Sequence, residues 1–194
     1  MVGRRSKLYG VGVNDSDYIT QKLTNGGREI CPFYARWRDM LRRCYSEKFQ
    51  ATAKTYIGCS VHPDWHSFMT FRAWMVEQNW YGKVLDKDIL IDGNKIYSEE
   101  SCVFITAKTN SFLLDCVARR GGFPVGVSLG ISGVLPYTSR VRVDGKSVYL
   151  GSYPSPEEAH QAWRVAKYEL AVHLASEQSD PRVAEALLKR YKVH

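Results

Sequence analysis

Two carboxylates separated by one residue, Asp86 and Asp88, are the residues of this sequence best suited to chemistry. They lie in the run 84–91, Val-Leu-Asp-Lys-Asp-Ile-Leu-Ile, which has strand character. Side chains alternate along a strand, so both carboxylates would lie on one face. Because Mg²⁺ prefers oxygen ligands, the pair is a candidate site for that ion. The alternative is that Asp86, Lys87 and Asp88 form a charged, solvent-exposed strand without chemistry.

A second group of metal-binding residue types is Cys59, His62 and His66, which lie within eight residues of one another. One Cys and two His are possible zinc ligands, but no CxxC pair accompanies them. We therefore interpret Cys59 as a buried thiol and the histidines as surface residues, and a structural zinc is not favoured. His62 or His66 would serve as a general base only if the fold brings it close to the carboxylates. The five widely spaced cysteines indicate free thiols rather than a disulfide framework.

The charge balance favours a polyanionic partner. Lys and Arg outnumber Asp and Glu by 27 to 20, a formal net charge of +7. Basic residues concentrate in two blocks, residues 28–54 and 119–153. The chain has no run of about 18 apolar residues and no apolar core of a secretory signal near its N-terminus. We expect a cytoplasmic protein with no membrane partner.

The elements of the N-terminal part follow from apolar spacing. Residues 8–31 are rich in glycine and predict an extended lead-in. An amphipathic helix begins after Pro32, and its basic flanks make three arginines candidate DNA contacts: Arg38, Arg42 and Arg43. A second helix is predicted over residues 64–79. Residues 84–116 predict strand, long loop, strand and helix, with Thr106 as the helix cap and Asn110 in its first turns.

The C-terminal part predicts a three-stranded antiparallel sheet packed on one helix. The strands cover residues 125–129, 137–143 and 147–153, and Asp144-Gly145 supplies a hairpin turn. The segment Ser155-Pro156-Glu157-Glu158 has the residues of a capping box and begins a helix. A final helix begins at Asp180-Pro181 and ends near Tyr191.

The second strand of this sheet carries candidate DNA contacts. Arg140 and Arg142 alternate with Val141 and Val143, so the arginines would lie together on the outer face. Arg binds guanine through two hydrogen bonds, and Lys mostly contacts phosphate. Three neighbouring residues join the candidates: Lys146 at the hairpin, Tyr137 and Tyr149. The alternative is a solvated sheet face without a ligand.

Two resemblances cover nearly the whole chain. The helix Trp37-Arg-Asp-Met-Leu-Arg-Arg-Cys-Tyr45, the turn Tyr56-Ile-Gly-Cys59, and the segment from Leu85-Asp-Lys-Asp88 to Phe104 resemble HNH-type homing endonucleases of tailed phages. Residues 125–171 resemble the APETALA-type DNA-binding domain of ethylene-response factors, which also follows HNH modules in phage proteins. The resemblances imply an α+β chain: an N-terminal helical plus ββα-metal domain over residues 1–116, a linker over 117–122, and a DNA-binding domain over 123–194.

The HNH resemblance implies phosphodiester hydrolysis with one Mg²⁺ or Mn²⁺. Asp86 and Asn110 correspond to metal ligands of that family, Asn94 corresponds to an Asn that orders the loop, and Asp88 is a further carboxylate for the site. Lys87 stands where the family has its general-base His. A Lys with a pKa near its ordinary value of roughly 10.4 stays protonated and accepts no proton from water, although burial lowers such a pKa. In the APETALA-type segment, Gly130 to Gly133 replace a Trp-bearing hairpin.

Two functions follow as hypotheses. The first is a phage HNH-type DNA endonuclease that binds double-stranded DNA and hydrolyses it slowly in the absence of the His base. The second is a non-enzymatic protein on the same scaffold that binds DNA or inhibits a host protein.

Overall fold

The chain forms two compact units, residues 1–106 and 107–194. The computed structural model describes residues 7–114, 122–131 and 133–193 of the protein. Both units combine helices and strands, so the predicted α+β class is confirmed. The division lies between Thr106 and Ala107, earlier than the predicted boundary after residue 116. The predicted linker 117–122 falls outside the described residues except for Gly122.

The lead-in predicted as extended contains a β-hairpin. Strand β1 (Gln21–Thr24) pairs antiparallel with β2 (Gly27–Ile30), and Thr24 faces Gly27 across the turn residues Asn25 and Gly26. An Asn-Gly pair between two short segments is a strong hairpin signal, so the extended interpretation was wrong. The hairpin is largely solvent-exposed.

Three helices follow the hairpin in the first unit. Helix α1 (Pro32–Tyr45) has Pro in its first turn, where a missing N–H costs no hydrogen bond. Helix α2 (Glu47–Thr52) is capped by Ser46, and helix α3 (Phe68–Val76) is capped by Ser67. A short 3₁₀ turn, Pro63–His66, precedes α3. The helix predicted over residues 64–79 is therefore shorter and begins only after the Ser67 cap.

The core of the first unit is aromatic. Trp37 of α1 and Phe68 and Phe71 of α3 are fully buried. The Trp37 indole N–H donates to the carbonyl of Trp65 over 2.7 Å, which satisfies its polar group inside the core. Trp74 of α3 stacks on Phe104 with ring centroids 5.7 Å apart. This contact packs α3 against the strand that carries Phe104.

Two small strand pairs lie beside this core. Strand β3 (Ser60–Val61) runs parallel to β5 (Ile96–Tyr97), and β4 (Val84–Asp86) runs antiparallel to β6 (Val103–Ile105). The next element is helix α4 (Ala107–Leu113). The predicted strand, long loop, strand and helix occur in this order, but the loop also contains the two-residue strand β5. Helix α4 belongs to the second unit.

The second unit contains the three-stranded antiparallel sheet that the sequence predicts. Its order is β7 (Val127–Leu129), β8 (Tyr137–Val143) and β9 (Lys146–Tyr153). Helix α5 (Pro156–Ser176) packs on one face of this sheet, and α6 (Pro181–Tyr191) packs on α5. Both helices begin at the predicted caps, Ser155 and Asp180. Within the described residues, no helix has the length and apolar character needed to cross a membrane.

Helix α4 is attached to α5 by a buried lysine. The Lys167 ammonium donates to the carbonyl oxygen of Phe112 over 2.7 Å and lies 3.4 Å from the centroid of the Phe112 ring. Lys167 is only 7% exposed. A cation at the C-terminal end of a helix also meets the negative end of the helix dipole. These contacts explain why α4 belongs to the second unit.

Candidate functional site

The first candidate site is the loop that follows β4, and Asp86 holds its first turn. One Asp86 carboxylate oxygen accepts the backbone N–H groups of Asp88 and Ile89 over 3.0 and 2.8 Å. Burial and the neighbouring Asp88 carboxylate raise the pKa of Asp86 above its usual value, although the two N–H donors act in the opposite direction. This carboxylate therefore has a local structural task as an acceptor for loop amides.

Lys87 lies inside the loop, with only 7% of its surface exposed. Its ammonium donates to Asp88 Oδ2 and to the carbonyl oxygen of Asn94, both over 2.9 Å. Burial alone would lower the pKa of Lys87, but the hydrogen bond and the charge of Asp88 raise it above its ordinary value. The lowering that would make Lys87 a base is therefore absent. Lys87 is a buried cation that ties the loop together.

Asn94 closes the loop with its side-chain amide. Its amide donates to the carbonyl oxygens of Lys87 and Ile96 over 2.6 and 2.7 Å. Its carbonyl oxygen accepts the N–H of Ile96 over 3.2 Å. One side chain therefore bridges the residue after β4 and the first residue of β5. This is a positioning role, in which the amide nitrogen donates to two loop carbonyls and the side-chain oxygen accepts one loop N–H.

Arg43 was predicted as a DNA contact, but its side chain lies within the first unit. Its guanidinium pairs with Asp39 over 2.8 Å and lies 5.5 Å from the centroid of the Tyr56 ring. It also lies beside the buried Tyr97, where burial raises the pKa of the phenol while Arg43 opposes that rise. Arg42 shares Asp39 and packs over Phe49. Arg42 is exposed, whereas Arg38 and Arg43 are half-buried, so Arg42 is the most accessible of the three candidates on α1.

The donor set of the loop does not fit a divalent cation. One oxygen of Asp86 accepts two amides, and one oxygen of Asp88 accepts the Lys87 ammonium. The buried Lys87 ammonium beside Asp88 opposes a second cation by charge. Across residues 7–114, 122–131 and 133–193, no three His, Cys, Asp or Glu side chains group as a metal site. Asn110, the second predicted ligand, is in the other unit.

The thiol and histidine candidates form no alternative site. Cys59 is buried, as predicted, and the nearby Cys44 and Cys102 are buried thiols whose pKa is raised to about 12, mainly by burial. His62 lies 3.6 Å from Asp64 at the surface. His66 is half-buried, and its Nε2 lies 3.4 Å from the Tyr45 hydroxyl. The zinc interpretation therefore gains no support, because these groups have partners other than one another.

The second candidate site is the outer face of the β7–β8–β9 sheet. Arg140 and Arg142 are exposed on strand β8. Val141, which lies between them, and Ser139, which precedes them, are buried. Arg140 faces Tyr149 across the strand pair, and its guanidinium lies 5.4 Å from the centroid of that ring. Such a contact holds a flexible side chain over an aromatic surface. The three strands contain no Asp or Glu.

The same face carries hydroxyl groups that sequence reasoning missed. Ser128 and Thr138 form a hydroxyl–hydroxyl hydrogen bond of 2.9 Å, and Tyr149 and Ser152 form one of 2.7 Å. The register places Thr138 between Ser128 and Ser152. Period-two alternation from Arg140 would have found Thr138, but a register shift between Ser139 and Arg140 hid the position of Ser152.

The remaining two sheet candidates, Lys146 and Tyr137, differ in where they lie on the sheet. Lys146 is exposed beside the hairpin turn, as expected for a phosphate contact. Tyr137 shares the helix-facing side with Ser139 and Val141, so it lies opposite to Arg140. Its ring packs edge-on against Phe123 with centroids 5.7 Å apart. The geometry therefore gives no support to a DNA contact by Tyr137.

Comparisons with known proteins found no relative. No protein-family model, no curated protein and no solved structure matches the chain.

Proposed function

We propose that this chain is a double-stranded-DNA-binding protein of the phage HNH type in which the sheet of the second unit contacts the DNA. The observation that carries the proposal is the outer sheet face, where Arg140 and Arg142 are exposed on strands without a carboxylate. A sheet face of this kind enters the major groove and presents alternate side chains to bases and phosphates. The net charge of +7 supports the same partner.

The β4–β6 loop serves the scaffold in this proposal. Asp86, Lys87 and Asn94 use their polar groups on one another and on loop backbone atoms. These contacts support the non-enzymatic hypothesis over hydrolysis. A loop ordered in this way keeps the strands around it in register without a base or a metal ligand set.

The test of DNA binding is a salt titration of the Arg140→Ala/Arg142→Ala variant on duplex DNA. Each lost phosphate contact reduces the slope of log affinity against log salt by roughly 0.9, and each lost base contact costs about 1–3 kcal/mol on the preferred sequence. The matched control is Lys108→Ala/Arg182→Ala, because both residues are exposed, basic and ion-paired with Glu177 and Asp180. The control removes the same charge from the same unit. Unchanged affinity and slope in the Arg140/Arg142 variant would reject the sheet as the DNA contact.

The second candidate function is slow DNA hydrolysis with Mg²⁺ or Mn²⁺, favoured by the strand, loop, strand and helix order over residues 84–113. Its test is nicking of supercoiled plasmid by wild type, Asp86→Ala, Asn110→Ala and Lys87→His. Metal-dependent nicking that both alanine variants lose, and that Lys87→His accelerates, would favour the enzyme. Binding without nicking in either metal supports the non-enzymatic protein.

A further inference from the structure

A small groove in the second unit lies between the N-terminal half of α5 and the end of α6. Its volume is about 200 Å³, and its lining includes five side chains: His160, Trp163, Arg164, Arg190 and Lys192. Three of them are permanently cationic, and none of the described residues that line the groove is acidic. The charge of the groove therefore selects an anion.

The charged side chains of the groove are hydrogen-bond donors. His160 Nδ1 donates to the carbonyl oxygen of Val125 over 2.9 Å, so Nε2 of the neutral ring is an acceptor and gives an anion no hydrogen bond. Arg164 donates to the carbonyl oxygen of Lys192 over 3.4 Å, which satisfies an acceptor at the groove. The ring of Trp163 forms an aromatic part of the lining. Arginine forks and N–H groups match the oxygens of a phosphate.

The groove is separate from the sheet face that carries Arg140. Helix α5 packs on the other face of the sheet, and the groove opens between α5 and α6. Trp163 fixes the groove against the sheet edge, because its ring contacts the backbone of Gly126 just before β7. The ring of His160 stacks on Trp163 with an interplanar angle of 13°. The walls are therefore set by packing that does not involve the outer face.

The size of the groove limits its ligand. Pockets that enclose drug-sized ligands begin near roughly 300 Å³, so a groove of about 200 Å³ holds a single group rather than a whole metabolite. A phosphate that belongs to a polymer needs only such a local contact, since the rest of the strand stays outside. We propose that the groove lined by Trp163, Arg164, Arg190 and Lys192 binds a backbone phosphate of a nucleic-acid strand, at a site distinct from the sheet face.

The test compares Arg164→Gln/Arg190→Gln with Lys108→Gln/Arg182→Gln in the full chain, using labelled duplex and single-stranded oligonucleotides. The groove variant is expected to lose about one unit of salt slope and at least fivefold in affinity, equally for every sequence. The control variant, with the same loss of charge, is expected to bind nearly as wild type does. Lys192→Gln, at an exposed residue beyond α6, provides a second groove variant if the double variant unfolds at a lower temperature.

The outcomes separate this inference from the sheet proposal. Arg140→Ala/Arg142→Ala flattens sequence preference, whereas a groove variant leaves preference intact and weakens binding uniformly. Inorganic phosphate serves as the small-ion probe and is expected to compete only weakly with the oligonucleotides. Equal oligonucleotide affinity in wild type and both groove variants would overturn the groove proposal, whatever the sheet variants do. If the groove binds inorganic phosphate tightly while the groove variants keep wild-type affinity for oligonucleotides, the ligand is not a nucleic-acid phosphate, and the proposal is rejected.

Discussion

Lys87 shows how the surroundings of one residue change its chemistry. A lysine at a base position needs a lowered pKa, which burial produces when no opposite charge compensates for it. Here the hydrogen bond and the charge of Asp88 oppose the effect of burial, and the pKa of Lys87 rises. The same contacts that hold the ammonium also hold the loop. The residue is thus a structural cation at every physiological pH.

Replacement of Lys87 by Met is expected to reduce the free energy of unfolding by about 1–3 kcal/mol, because the Asn94 carbonyl and Asp88 lose their donor. A raised lysine pKa stabilises the fold below the ordinary value of 10.5, and this contribution is lost as pH rises through the folded-state pKa. Urea unfolding at pH 7 and above pH 10.5 measures both effects. Lys48→Met, at an exposed position of α2, is the control. Equal stability of Lys87→Met and wild type at pH 7 would contradict the structural role.

At Asp86, in contrast to Lys87, the charged form of the side chain is expected to lower the stability of the fold. Its pKa is raised above 3.8, so its ionisation lowers stability as pH rises through the folded-state pKa. Asp86→Asn keeps an oxygen for the N–H groups of Asp88 and Ile89 but carries no charge. The stability of Asp86→Asn relative to wild type is therefore expected to increase between pH 3 and pH 7, as measured by urea unfolding. Asp86→Ala lacks the acceptor and should be less stable than Asp86→Asn at every pH. If the difference in unfolding free energy between Asp86→Asn and wild type does not change with pH, this account of Asp86 is wrong.

At the scale of elements, the approach of β7 to α5 depends on a residue without a side chain. Gly126 has a φ of +82°, and a Cβ there would lie 2.1 Å from the Trp163 ring. Gly145, in the β8–β9 turn, has a similar φ of +79° but open space around it. The two glycines share a backbone conformation and differ in packing. Substitutions at the two positions therefore distinguish backbone strain from overpacking of a side chain.

Gly145→Ala is expected to cost about 1–2 kcal/mol of unfolding free energy, the penalty of the left-handed conformation. Gly126→Ala is expected to cost that amount plus about 1–3 kcal/mol for overpacking against Trp163. Chemical unfolding of both variants measures the difference. Equal losses of unfolding free energy at the two positions would mean that Trp163 moves aside at no cost, which would contradict the overpacking prediction.

The start of α5 is a second element-scale feature. Ser155 Oγ accepts the N–H of Glu158 over 3.2 Å and lies 3.2 Å from the Glu158 carboxylate. Ser155→Ala is expected to lower the unfolding free energy by about 1 kcal/mol, whereas Ser155→Asp should retain most of it. Thermal unfolding of the two variants checks the cap. A Ser155→Ala protein as stable as Ser155→Asp would show that the cap contributes little.

At the scale of the whole molecule, the unit boundary at Ala107 makes a prediction about fragments. Without α4, Lys167 loses the Phe112 carbonyl and its ring contact. A fragment of residues 107–194 is therefore expected to unfold cooperatively and to exceed residues 123–194 in stability by at least about 2 kcal/mol, since a hydrogen bond to a charged group contributes about 1.5–3 kcal/mol. Lys167→Met in the longer fragment should remove most of that difference. Equal stability of the two fragments would move the boundary back toward residue 116.

Local signals in the sequence determined much of this protein. Pro32, Ser155 and Asp180 mark helix starts at the positions where the structure has them, because caps and first-turn prolines act within four residues. The Asp144-Gly145 turn and the alternation around Arg140 likewise predicted the β8–β9 hairpin and the exposed arginines. These predictions succeed because neighbouring residues alone supply the interactions that define them.

Only the tertiary structure decided which groups the candidate residues meet. Tyr137 faces the helix, Arg43 lies beside Tyr97, and α4 joins the second unit through contacts between residues far apart in the chain. In the same way, Lys87 donates to the carbonyl oxygen of Asn94 because the loop brings Asn94 back to it, seven residues later. Local spacing specifies which side chains share an element. Burial and charge, which set their chemistry, come from whatever the rest of the chain packs against them.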